Sequence, residues 1–86
     1  MVTAPVANIN GSSLERLIEQ NYEAFSALDR AIEALASAAP HGRDFQTCAP
    51  EVFRTARREY AERLVLLGRV KREIAEIVEQ LVEQRK

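Results

Sequence analysis

Two stretches of this chain repeat their apolar residues every seven positions. In the first, Leu14, Ile18, Phe25, Leu28, Ile32, Leu35 and Ala39 recur, and with Asn21 included the spacing runs 4-3-4-3-4-3-4 without a gap. Such spacing lines the positions along one side of an α-helix as a seam for another helix. In the second, Phe53, Tyr60, Leu67, Ile74 and Leu81 fall seven apart, beside a parallel row of Ala56, Arg63, Val70 and Ile77. Leu64 and Val78 widen that stripe, as on a helix packed in a bundle rather than in a two-stranded coil. No segment alternates with period two, so no strand is predicted. The fold class is all-α.

Local signals set the helices at about 12–39 and 50–85. In "SSLE", Ser12 is placed to cap the backbone N–H of Glu15, whose carboxylate reaches back in a capping box. Pro50 suits the first turn of the second helix, where its missing N–H would be unpaired anyway. Between them, "PHGRDFQTCAP" interrupts the helical pattern, making a corner at 40–49. Gly42 suits the left-handed residue that ends a helix, Pro40 helps to stop it, and Phe45 is expected to fold onto the tip. So short a connector predicts an antiparallel hairpin. Folding there pairs Leu35 with Phe53, Phe25 with Leu64, and Asn21 with the neighbourhood of Gly68. That mid-helix glycine suggests a close backbone approach or a slight kink. Residues 1–11 read as a flexible N-terminal arm, and 12–86 as a single hairpin domain.

The helices differ in length, roughly 27 against 36 residues, or ~40 Å against ~54 Å. Ile77, Val78, Leu81 and Val82 are therefore expected to project beyond the first helix. The arm with Val2, Val6 and Ile9 would cover them by folding back; otherwise a second molecule must. "LVLL" at 64–67 covers more than one helix face. Leu64, Val65, Leu66, Val70, Ile74, Ile77, Val78, Leu81 and Val82 are thus the expected oligomer or partner interface. The expected state is a homodimeric four-helix bundle, or docking on a partner's helices.

Composition narrows the setting. Eighty-six residues, 47% apolar and 29% charged, make one folded domain with a marginal core. Twelve basic and thirteen acidic side chains nearly cancel, against a general nucleic-acid or membrane-surface binder. The charge is segregated: residues 41–72 carry net +4, residues 1–40 net −3 and residues 73–86 net −2. One cysteine, no secretory-type leader and no bilayer-length apolar run make a reduced, cytoplasmic setting the expectation.

Candidate chemistry is sparse. The corner holds the single histidine and cysteine, and a Cys48/His41 pair oriented by Asp44 would have nucleophilic residue types. Spacing in a loop does not supply the geometry, and one His with one Cys falls short of a closed zinc site. Helix-ending residues explain the corner without chemistry, with Arg43 and Asp44 bracing it. Arg43, Arg54, Arg57 and Arg58 form a basic corner, whose alternative reading is a nucleic-acid-binding regulator. Asn21, Arg63 and Lys71 are the polar residues on the seam. Asn21 suits a register-setting role, Arg63 the stripe's wet edge, and the two around a dimer cavity would suit a small helical enzyme. Pairs at i,i+4, Glu59–Arg63, Arg58–Glu62, Arg69–Glu73 and Arg72–Glu76, decorate the second helix, and Arg85 and Lys86 face the negative end of its dipole. No catalytic constellation and no cofactor are expected.

A long helix, the corner residues Gly42, Arg43, Asp44 and Phe45, then Ala56, Glu59, Tyr60, Arg63 and Leu64 on a second helix form a recognisable order. It resembles a group of small uncharacterised bacterial proteins often found near prophage genes, over about half the chain. The resemblance implies a bacterial or phage-derived accessory protein and brings no activity with it.

Overall fold

Helix α1, Leu14–Ser37, and helix α2, Pro50–Glu83, pack antiparallel in a computed structural model that describes residues 2–85. A short 3-10 turn, Gly42–Phe45, lies between them, and no strand occurs among the described residues. Met1 of the expected arm and Lys86, expected at the helix dipole, lie outside the described residues.

The helix ends show what decides them locally. The cap of α1 is Ser13, whose Oγ accepts the backbone N–H of Arg16 at 3.2 Å. The expected Ser12–Glu15 box is therefore one residue early, because the first helical residue is Leu14. Glu15 instead reaches Arg85. α1 stops at Ser37, two residues short of the expected end. There the Ala38 N–H donates to the carbonyls of Ala34 and Leu35 in a tightened last turn. Pro40 disfavours helical backbone at Ala39 and so enforces that stop. Gly42 is not a left-handed cap either, since no described glycine has positive φ. It opens the 3-10 turn, capped by His41 Nδ1, which accepts the Arg43 N–H at 3.1 Å. α2 starts at Pro50 as expected and ends at Glu83 rather than 85.

The seam uses the expected residues in a different register. On α1, Leu14, Ile18, Asn21, Phe25, Leu28, Ile32 and Leu35 are half-buried. On α2 the same holds for Phe53, Tyr60, Leu64, Leu67, Ile74 and Val78. Phe25, however, does not meet Leu64. The ammonium of Lys71 stands 5.2 Å from the Phe25 ring centre, and a shallow groove is shared by Tyr22, Phe25, Ala75 and Val78. Phe25 thus lies roughly two to three turns further along α2 than the shortest corner would put it. Apolar residues recur every three or four positions on both helices, so a shift of about three turns still sets apolar on apolar, and spacing alone cannot choose the register. Polar pairs across the seam do: Lys71 Nζ donates to Asp29 Oδ1 at 2.5 Å, and Arg85 forks onto Glu15 at 2.9 and 2.7 Å.

This register reverses the expected overhang. The bidentate Arg85–Glu15 pair, a charge-assisted fork, spans the open end of the hairpin. Leu81, expected to project, is 0% exposed and is the one fully buried residue among those described. The first turns of α2 are what run past α1, and the connector doubles back along them. Phe45 folds onto the tip at 5.4 Å from the Phe53 ring, so Phe53 pairs with Phe45 rather than with Leu35. The molecule measures 61 × 21 × 20 Å, with a radius of gyration of 18.5 Å against about 12 Å for a globular chain of this length.

Residues 2–8 run in extended form along the far end of α2. Gln80 Nε2 donates to the Val2 carbonyl at 2.7 Å, and Gln84 Nε2 to that of Pro5 at 2.9 Å. The Ala7 N–H donates to Gln84 Oε1, and the Val2 N–H to Glu76 Oε2. The arm therefore does fold back, but through its backbone. Ile9 stays 98% exposed, and Val6 is exposed as well.

Candidate functional site

Three residue groups were singled out by the sequence, and the structure places them in different surroundings. In the corner, His41 is occupied as a turn cap and Cys48 is exposed, its N–H donating to the Phe45 carbonyl. Arg54 pairs with Glu51 at 3.4 Å and Arg58 with Glu62 at 3.9 Å, so two of the four corner guanidinium groups have a carboxylate on their own helix. Arg57 lies 5.7 Å from the Phe53 ring centre, on the residue that also carries Phe45. Phe45, Phe53 and Arg57 pack together at the tip, whereas the two ion pairs are exposed and lie within α2.

The seam's polar residues do not converge. Asn21 Nδ2 donates to the Leu17 carbonyl at 2.9 Å, one turn back on its own helix, so it sets no pairing across the seam. Arg63 is exposed, with its guanidinium 5.5 Å from the Tyr60 ring centre rather than on Glu59. Asn21 sits near the Val78 level of α2, on the order of 20 Å from Arg63 at the helical rise. Lys71 is the seam residue with a cross-helix partner, Asp29. Among the described residues no cluster of three or more His, Cys, Asp or Glu could hold a metal ion. None of their helices is long and apolar enough to cross a membrane.

The expected interface residues divide. Leu64, Ile74, Ile77, Val78 and Val82 are half-buried and Leu81 is buried within the chain. Leu66 is 59% exposed, Val65 67% and Val70 43%. "LVLL" thus splits by helical geometry: Leu64 and Leu67 enter the seam, and the two residues between them face out.

Two of the exposed residues belong to a larger feature. Val52, Ala56, Glu59, Arg63, Leu66 and Val70 follow one another at spacings of 4-3-4-3-4, a second heptad stripe beside the seam. Val52 is 46% exposed, so three aliphatic residues on this stripe stand open to solvent. The same stripe continues through Glu73, Ile77, Gln80 and Gln84, and there the arm lies over it. One heptad face of α2 is thus covered in its second half and open in its first. The sequence shows the row Ala56, Arg63, Val70 and Ile77, but Val52 and Glu59 were not joined to it, because Glu59 and Arg63 interrupt the apolar run. The arm's seat was missed. The signal for that was Glu76, Gln80 and Gln84 at successive i,i+4 positions, a row of side-chain hydrogen-bonding groups on one helix edge.

No protein-family model, no curated protein and no solved structure matches this chain.

Proposed function

We propose that this chain is a protein–protein interaction module that works by self-association through α2, two hairpins forming a four-helix assembly. Its role on this reading is assembly rather than catalysis, in keeping with the accessory role that its resemblance to small prophage-associated proteins implies. One observation carries the reading: a solvated heptad stripe with Val52, Leu66 and Val70 open, on a helix whose other apolar row is already packed. Full burial of an aliphatic side chain gains about 1.5–3 kcal/mol, and these three, 43–59% exposed, have roughly half of that still to gain. Sedimentation equilibrium between about 1 and 100 µM tests this, since standard interfaces associate in and below that range. The expected mass is twice the 9.7 kDa of the chain. A monomer throughout that range rejects the proposal. The basic corner supplies the competing reading, and retention of double-stranded DNA at low salt that weakens on Arg57→Ala would put that reading in its place.

A further inference from the structure

We infer that two copies of the chain pair antiparallel along the open stripe of α2, about a two-fold axis level with Ala61, with Glu59 of each copy meeting Arg63 of the other. This rests on the reading of the chain as a self-associating module and gives it a register. A two-fold interface must be self-complementary, because each contact occurs twice with the roles exchanged. Run against its own reverse, the stripe meets that demand at every position. Val52 falls opposite Val70, Ala56 opposite Leu66, and Glu59 opposite Arg63. Apolar meets apolar, small meets large, and opposite charges meet at the centre.

The surface relief agrees. Val52, Thr55, Ala56 and Glu59, together with Glu51, line a shallow groove of about 330 Å³. The first four are spaced i, i+3, i+4 and i+7, as are the four residues that receive a knob from a facing helix. Leu66, 59% exposed, is the knob that this register brings to it. The arm rules out a longer overlap, because its backbone, held by Glu76, Gln80 and Gln84, occupies the rest of the stripe. What remains, from Val52 to Val70, spans about 27 Å at the helical rise. Arg54, Arg57 and Arg72 lie on the far side of α2 by helical spacing, away from the paired stripe.

The area argues for such a partner. The chain exposes 6517 Å². A folded monomer of its mass exposes about 5,100 Å². The excess exceeds the ~800 Å² that each side of a standard interface covers. Since α1 overlies only the far part of α2, the two hairpins overlap at their corner ends. The pair is then roughly 80 Å long, against 61 Å for one chain.

Charge reversal tests the register. Glu59→Arg and Arg63→Glu alone each set like charges opposite one another twice, and each is expected to weaken dimerisation roughly tenfold in sedimentation equilibrium. In an equimolar mixture of the two variants, each mixed pair sets both arginines of one chain against both glutamates of the other. That mixture is expected to recover association close to that of the native chain. Val65→Ser, off the stripe, is expected to leave the dimer unchanged, and circular dichroism checks that each variant keeps its helices. Small-angle scattering of the dimer is expected to give the longer dimension. A dimer indifferent to both reversals, or a mixture that does not recover, overturns this pairing while leaving self-association standing. A monomeric native chain overturns both.

Discussion

Gly68 occupies a mid-helix position on α2 with no structural demand for glycine. Its φ is not positive, and a Cβ built there meets only the Arg72 guanidinium, at 3.7 Å, an ordinary van der Waals distance. The close backbone approach expected from the sequence is absent because the seam register brings no tight neighbour to this point. What remains is the entropic cost of glycine in a helix. Gly68→Ala is therefore expected to stabilise the protein by about 0.5–1 kcal/mol, read as a higher urea midpoint at unchanged m-value. Glycine at this site shows what sequence can and cannot disclose. Its helical membership was legible from its neighbours, whereas the reason for an absent side chain depends on what lies across the seam. Asn21 makes the same point. Its half-buried place on the stripe followed from spacing, but its amide turned to the Leu17 carbonyl, a partner that any helix offers.

Element by element, legibility follows how local the deciding interaction is. The two helices, their apolar seams and Pro50 at the start of α2 are set within a few residues, and they appear where the sequence puts them. The ends drift by one or two residues, because Ser12 and Ser13 compete for one cap and only the helix start decides between them. The arm was the least legible element, since its attachment is made by side chains about eighty residues away in sequence. Gln84 is the main fastener, donating to the Pro5 carbonyl and accepting the Ala7 N–H. Exposed hydrogen bonds of this kind contribute about 0.5–1.5 kcal/mol each. Gln84→Ala is accordingly expected to lower the local opening free energy at Ala7 by about 1–2 kcal/mol, seen as roughly 5- to 30-fold faster amide exchange there. Amides in the middle of α2 should keep their protection. Exchange at Ala7 unchanged by the substitution would mean that the arm is not held by this ladder.

At the scale of the whole molecule, the sequence disclosed a length mismatch between two helices but not which end it would expose. Apolar residues three and four apart on both helices allow several registers, and the one adopted carries Lys71–Asp29 and Arg85–Glu15, pairs that no local pattern announces. With the far end of the seam closed, the open aliphatic stripe of α2 runs from Val52 to Val70, while Val6 and Ile9 of the arm stay exposed at the other end. One fully buried residue among those described is a small core for a chain of 86 residues, and a domain of this size needs a further source of stability. Self-association through the open stripe would supply it, and would couple folding to concentration. For a dimer that unfolds to separate chains, a hundredfold rise in protein concentration adds about 2.7 kcal/mol per mole of dimer. Spread over the unfolding entropy of two such chains, that is a rise in melting temperature of roughly 5–8 °C. Scanning calorimetry at two concentrations a hundredfold apart measures it directly. Leu66→Glu, which sets a charge on the stripe while touching nothing in the seam, is expected to abolish the shift and leave the melting temperature near the dilute native value. A melting temperature independent of concentration in the native chain would place the missing stability inside the hairpin, and the open stripe of α2 would then have no part in holding the fold.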